Sequence, residues 1–273
     1  MKKESICSVA FATMFLMGCD SHLKDDISTV SASSISINVL PVIMSAVVSE
    51  LPQINSDSRD AVLNSICRVA YGEIKPTALR DDLNQAGIIK KDSVKANTFT
   101  KLIQSEDIKP YQTACAAYMI TSIETIPDVN QFVSQHKDTK GQAEIEANEE
   151  AVINLMPFRL AVARATSELY GRLAVDLSEK KAQSMEMYNQ KIHRLFNQSA
   201  AGYLSNVRKY NQEEMGNRYQ LLLLQKGRFI FKSTTGYLMD VSQKGMGLYL
   251  YGTPWLADGY ILGVNHNVYV DVK

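Results

Sequence analysis

Apolar side chains recur at helical spacing from about residue 35 to residue 215. The first such stretch, Ile35–Leu51, predicts a buried helix with Pro41 near its start. Shorter helices should follow, because proline and glycine stop signals divide the next ninety residues. We expect one helix to end at Gly72, one to begin at Pro76 and stop at Gly87, one to end before Pro110, and one to begin at Pro110 and stop before Pro127. Together they predict a helical bundle large enough to bury a core.

A longer periodic segment follows, from Phe158 to Glu214, without any proline. As one rod it would measure roughly 85 Å at the helical rise. We favour a hairpin, broken at Asp176–Ser184 or at Gln198–Gly202. Four residues in the second half have the spacing of a coiled-coil seam, although an ordinary core face explains so short a run better. They are Met185, Tyr188, Ile192 and Leu195.

From Gly216 onwards the apolar pattern changes to short alternating runs, rich in glycine and tyrosine. Turn sequences at Ser233–Gly236, Ser242–Gly245 and Asp258-Gly259 separate these runs. Asp-Gly between apolar runs is a strong hairpin signal. The predicted strands are Arg228–Lys232, Tyr237–Val241, Met246–Tyr251, Tyr260–Val264 and Asn267–Val272. The fold class is therefore α+β: an N-terminal helical bundle with long amphipathic helices, then an antiparallel β meander that resembles a bacterial SH3-like barrel.

The N-terminus has the three parts of a signal peptide. Lys2 and Lys3 supply the positive charge, Ile6–Leu16 is apolar but too short to span a bilayer, and Leu16-Met17-Gly18-Cys19 follows. This ending resembles a bacterial lipobox. The resemblance implies cleavage before Cys19 and its acylation, including a palmitate-type chain, so that the mature protein is anchored by lipid.

Asp20 resembles the residue that retains lipoproteins at the inner membrane, so we expect the periplasmic face of that membrane, with the outer membrane as the alternative. The predicted organisation has four parts. They are the signal peptide at 1–18, the lipidated cysteine and a flexible tether at 19–34, the helical domain at 35–215 and the β domain at 216–273.

Two of the four cysteines remain for a disulfide in the mature protein. Cys7 leaves with the signal peptide and Cys19 carries lipid, so Cys67 and Cys115 should pair in an oxidising compartment. Two buried reduced thiols are the alternative. Neither cysteine has a second ligand at metal-binding spacing, so we expect no metal site.

The nearly neutral net charge of the chain argues against a nucleic-acid partner. The chain contains 29 basic and 29 acidic residues, and removal of the signal peptide leaves it close to neutral. We therefore expect no nucleic-acid partner.

Catalytic candidates are weak, and no cofactor motif is present. We expect His22, His136 and His193 to face solvent and His266 to be a hydrogen-bonded strand residue. Glu144–Glu150 holds four glutamates, of which Glu146 and Glu150 would share one helix face, and a solvated acidic helix start explains them best. No residue is assigned a catalytic role.

Aromatic side chains concentrate in the predicted β domain. They could form a recognition surface for a peptide or glycan, or they could simply pack. The candidates are Tyr237, Tyr249, Tyr251, Trp255 and Tyr260.

Taken together, these patterns predict a lipid-anchored binding or accessory protein of the cell envelope. Its partner would be another envelope protein or cell-wall material, and its role that of an assembly factor or an immunity or exclusion protein. One alternative is a hydrolase of peptidoglycan or lipid that uses His266, Asp258 or the Glu144–Glu150 cluster. The other is a structural tether, and the oligomeric state is open.

Overall fold

The structure is a computed structural model of the whole chain. It describes residues 34–54, 57–89, 98–124, 132–137, 139–141, 143–178, 184–225, 228–242, 245–250, 253–257, 260–261 and 267–271. The predicted lipidation residue Cys19 and sorting residue Asp20 lie outside these ranges, as do His22, Tyr251, Asp258 and His266.

Seven helices and ten strands are present in the described residues, which confirms the α+β class. The helices are α1 Val39–Ser49, α2 Arg59–Ala70, α3 Pro76–Gln85, α4 Thr98–Gln104, α5 Ile108–Glu124, α6 Glu149–Ser178 and α7 Met185–Met215. The strands are β1 Ser34–Asn38, β2 Val133–Lys137, β3 Ala143–Ala147, β4 Tyr219–Gln225, β5 Arg228–Ser233, β6 Tyr237–Ser242, β7 Gly245–Leu250, β8 Thr253–Ala257, β9 Tyr260–Ile261 and β10 Asn267–Asp271.

The first element differs from the predicted helix at Ile35–Leu51. Residues Ser34–Asn38 form β1, which pairs antiparallel with β10 near the other end of the chain. The sequence Ser-Ile-Ser-Ile alternates with the period of a strand, which the longer apolar stretch concealed. Asn38 ends the strand and caps α1, because its side-chain oxygen accepts the Leu40 N–H at 2.9 Å.

The predicted small bundle is confirmed for α2 and α3. These helices end near Gly72 and Gly87, each with positive φ, as the stop signals predict. A disulfide between Cys67 of α2 and Cys115 of α5 joins two helices of the bundle, with 4.9 Å between the Cα atoms. The predicted cysteine pair is therefore confirmed, and both cysteines are buried.

The long segment forms a hairpin, and the break falls in the first of the two predicted places. Helix α6 ends at Ser178 and α7 begins at Met185, where the Ser184 hydroxyl caps the Met187 N–H at 3.2 Å. The helices run antiparallel, since Tyr188 at the start of α7 bonds the Leu177 carbonyl at the end of α6.

The start of this segment and the position of Phe158 differ from the prediction. Helix α6 begins at Glu149 and continues through Pro157, nine residues before the predicted stripe starts. The buried stripe of Val152, Met156 and Leu160 on both sides of the proline outweighs the lost backbone hydrogen bond. Phe158 is 41% exposed and so lies outside the core.

The C-terminal meander is confirmed for β4 to β9, but the predicted last strand, at Asn267–Val272, is wrong as a member of it, because β10 pairs with β1 instead. Strands β4 to β9 pair in sequence order as one antiparallel sheet, so within the described residues β9 and β4 do not pair. Two strands were not predicted. The four consecutive leucines of β4 hide its alternation, and β8 contains Pro254, which is unusual within a strand. The separate β1–β10 ladder crosses the predicted boundary between the helical and β domains.

Helices and sheet share one hydrophobic core. Four buried side chains of β5 and β6 pack into the same cluster as the helix residues, namely Phe229, Phe231, Tyr237 and Met239. The Phe132 ring, just before β2, packs in a tilted arrangement against Phe229 with 5.0 Å between the ring centroids, so the β2–β3 hairpin also contacts this core.

Replacing both Cys67 and Cys115 by alanine is expected to lower the free energy of unfolding by about 2–5 kcal/mol. The bridge closes a loop of sequence separation 48, and its loss gives the unfolded chain more freedom. Urea unfolding of the full-length protein, followed by circular dichroism, measures the change. A reductant should lower the wild-type midpoint and leave the double variant unaffected; an equal response of both proteins contradicts the prediction.

Candidate functional site

A groove of about 990 Å³ lies between the C-terminus of α1, helix α4, the start of α5 and the middle of α7. Its floor includes the buried side chains of Pro52, Leu102 and Ala114. Twelve of the 17 lining residues are polar or charged, although the surface exposed in the groove is more apolar than polar. The polar and charged residues are Ser49, Glu50, Thr98, Lys101, Ser105, Asp107, Lys109, Gln112, Thr113, Arg194, Asn197 and Gln198. The volume is that of a site for a sizeable ligand, and most wall side chains can form hydrogen bonds.

Local sequence explains how α5 and α7 present these residues. Asp107 caps α5, because its carboxylate accepts the Lys109 N–H at 3.1 Å, which fixes the start of the helix at the groove. On α7, Arg194, Asn197 and Gln198 follow helical spacing and so share one face, opposite the buried Phe196. This polar face was visible in the sequence, but nothing there indicated which helices oppose it.

His193 and Glu50 form a pair at the edge of the groove that the sequence analysis missed. The His193 Nδ1 and Glu50 Oε1 atoms are 2.7 Å apart, although the residues are 143 positions apart in the chain. His193 is therefore less exposed than predicted, since its side chain is 36% exposed and contacts the end of α1. Only the packing of α1 against α7 brings the two residues together.

Among the aromatic candidates, only Tyr237 has a side chain that the structure describes. Tyr249, Trp255 and Tyr260 belong to β7, β8 and β9, whose backbones are described and whose side chains are not. Tyr237 is only 5% exposed, and its ring lies 5.1 Å from the Arg164 guanidinium. As a candidate for an exposed recognition surface Tyr237 is therefore wrong, because the helical hairpin covers it.

Contrary to the prediction, Glu146 and Glu150 do not share a helix face. Glu144 and Glu146 belong to β3, whereas Glu149 and Glu150 form the first turn of α6. Glu146, Glu149 and Glu150 are exposed, which agrees with a solvated surface. His136 belongs to β2, in register with Glu144.

A second polar cluster joins the helical hairpin to the sheet. The carboxylate of Glu214, at the end of α7, is completely buried and lies 3.3 Å from Arg164 Nη1 of α6. It also accepts hydrogen bonds from Asn217 at 2.7 Å and from Thr235, in the β5–β6 turn, at 3.2 Å. The Arg164 guanidinium stacks 3.9 Å above the Tyr210 ring. We call Arg164, Glu214, Asn217 and Thr235 the Arg164–Glu214 junction.

Burial raises the pKa of three tyrosines next to this junction. It raises the pKa of Tyr210 to about 12, with a further contribution from the hydrogen bond to Glu168, and the pKa of Tyr237 to about 12. The pKa of Tyr219 is raised by burial and by the nearby Glu214 carboxylate. These hydroxyls therefore stay protonated at physiological pH, and the junction acts as a structural cluster.

The comparisons with known proteins give no relative. No known protein family, no curated protein and no solved structure matches this chain. Within the described residues, no helix has the length and apolar character needed to cross a membrane, and no group of histidine, cysteine and acidic side chains could hold a metal ion.

Replacing Glu214 by glutamine is expected to lower the free energy of unfolding by about 3 kcal/mol or more, because Arg164 and its neighbours lose a buried charged partner. The matched control is Glu213→Gln, since the Glu213 side chain is 42% exposed and also contacts Arg164. The control should cost about 1 kcal/mol or less. Urea unfolding measures both variants, and equal losses would contradict the junction's role.

Proposed function

We propose that this chain is a lipid-anchored binding protein of the bacterial cell envelope, in which the groove between α1, α4, α5 and α7 binds a polypeptide partner. The groove is the observation that carries the proposal. Its volume of about 990 Å³ and its combination of apolar surface with hydrogen-bonding side chains suit a polypeptide segment. The partner is another envelope protein, and the role is that of an assembly factor or an immunity or exclusion protein.

The disulfide supports the location outside the cytoplasm. Disulfides persist in oxidising compartments and are rare in the cytosol. The Cys67–Cys115 bridge is therefore consistent with the export and acylation that the lipobox-like sequence at Leu16–Cys19 implies. Asp20 then directs the protein to the periplasmic face of the inner membrane.

Replacing Cys19 by serine is expected to abolish lipid labelling and leave the signal peptide uncleaved, because the thiol is the proposed acyl acceptor. Metabolic labelling with a palmitate analogue and the size of the product measure both effects. Cys7→Ser is the matched control and should be labelled and processed normally. Normal labelling of the Cys19 variant would contradict the anchor.

A photo-crosslinking amino acid at Asn197, in the groove, is expected to yield an adduct with an envelope protein in living cells. The same amino acid at Asn189 is the matched control, because Asn189 is an exposed asparagine of the same helix outside the groove. Gel electrophoresis and mass spectrometry identify the adducts. The absence of an adduct at Asn197, or the same adducts at both positions, would contradict binding in the groove.

A further inference from the structure

Three basic side chains converge on the groove from three different helices. Lys101 belongs to α4, Lys109 to α5 and Arg194 to α7, and all three residues are exposed and line the groove. None of them forms an ion pair with another residue of the described parts of the chain, so all three charges can pair with a ligand. The groove therefore presents three positive charges that form no ion pair with a described side chain.

Both acidic side chains of the groove already have partners. The Glu50 carboxylate lies 2.7 Å from His193 Nδ1. The Asp107 carboxylate accepts a backbone N–H as the cap of α5. Three basic and two acidic side chains therefore line the groove, which leaves it with one net positive charge. A bound ligand with negative charge would supply the missing complement.

The neutral wall residues indicate what kind of anion fits. Gln112, Asn197 and Gln198 carry amide groups, which both donate and accept hydrogen bonds. Thr113 is only 6% exposed and lies on the wall of the groove. A peptide backbone offers a donor and an acceptor at each residue, which these side chains match. A single phosphate offers mainly acceptors and would fill little of about 990 Å³.

We propose that the groove binds an extended acidic segment of the partner protein. Carboxylates of the segment pair with Lys101, Lys109 and Arg194, and its backbone bonds the amide side chains. The inference rests on the proposed function, since it assumes that the groove is the binding site for a polypeptide. It adds the chemical class of the segment, which the shape of the groove alone does not specify.

The test measures binding of fluorescent peptides to the full-length protein in detergent by fluorescence anisotropy. One probe is a ten-residue peptide of alternating Glu and Ala, and the other has Gln in place of Glu. The acidic peptide should bind and the neutral peptide should bind at least roughly tenfold more weakly. Raising the salt concentration from about 0.05 M to about 0.5 M should weaken binding of the acidic peptide, because salt screens exposed charges. Inorganic phosphate and short-chain phosphatidylglycerol serve as competitors, and neither should displace it at equal charge concentration.

The decisive variant is the triple substitution Lys101→Gln, Lys109→Gln and Arg194→Gln, which should weaken binding of the acidic peptide roughly tenfold or more. The control with the same change in net charge replaces three exposed basic residues outside the groove, Lys75, Arg172 and Lys232, by glutamine and should bind as the wild type does. Circular dichroism and unfolding midpoints confirm that both variants fold.

Several results would overturn the inference: no binding of the acidic peptide, equal binding of both peptides, equal behaviour of both triple variants, or displacement by phosphate or phosphatidylglycerol. The crosslinking experiment separates this failure from that of the proposed function. If Asn197 still yields its adduct while binding is independent of charge, the groove binds a polypeptide that is not acidic. If Asn197 yields no adduct, the proposed function itself fails.

Discussion

The buried carboxylate of Glu214 is the constraint on which the arrangement of helices and sheet depends. A charged group without water is costly unless other groups bond it, and here the partners come from the neighbouring helix and from the sheet as well as from the residues that follow α7. Arg164 lies on α6, Asn217 follows α7 and Thr235 lies in the β5–β6 turn. The carboxylate is satisfied only when the hairpin and the sheet are in contact, so the junction links the packing of the two parts. The apolar contacts of Phe229 and Phe231 with the shared core act in the same direction.

The groove depends on the same helix α7 that carries Glu214. Helix α7 packs against α6 through its buried face and presents Arg194, Asn197 and Gln198 on another face. Helix α5 packs against α7 and is joined to α2 by the disulfide, so the position of Lys109 is fixed by a covalent bond as well as by packing. A site carried by helices held in this way is largely formed before a ligand binds, which reduces the entropic cost of binding.

Sequence reasoning was accurate where a local signal had a single structural meaning. Gly72 and Gly87 mark helix ends because their positive φ is costly for other residues, and the cysteine pair followed from elimination. It was less accurate where the outcome depended on a distant partner. The residues of β1 resembled part of a helix because β10 lies more than 200 positions away, and Tyr237 appeared available because α6 was not yet known to cover it. The groove residues were missed for the same reason, since Lys101, Lys109 and Arg194 are unremarkable in isolation.

By itself, the sequence determined the α+β class, the two-helix hairpin, the meander and the cysteine pair, because periodicity, stop signals and cysteine number are local or combinatorial properties. It also carries the lipobox-like segment and with it the proposed anchor. Only the tertiary structure decided which surfaces face each other. The contact of His193 with Glu50, the burial of Glu214 and the convergence of three basic residues on one groove all join side chains from separate elements. Such contacts depend on how helices and strands pack in three dimensions, and no spacing along the chain encodes that packing.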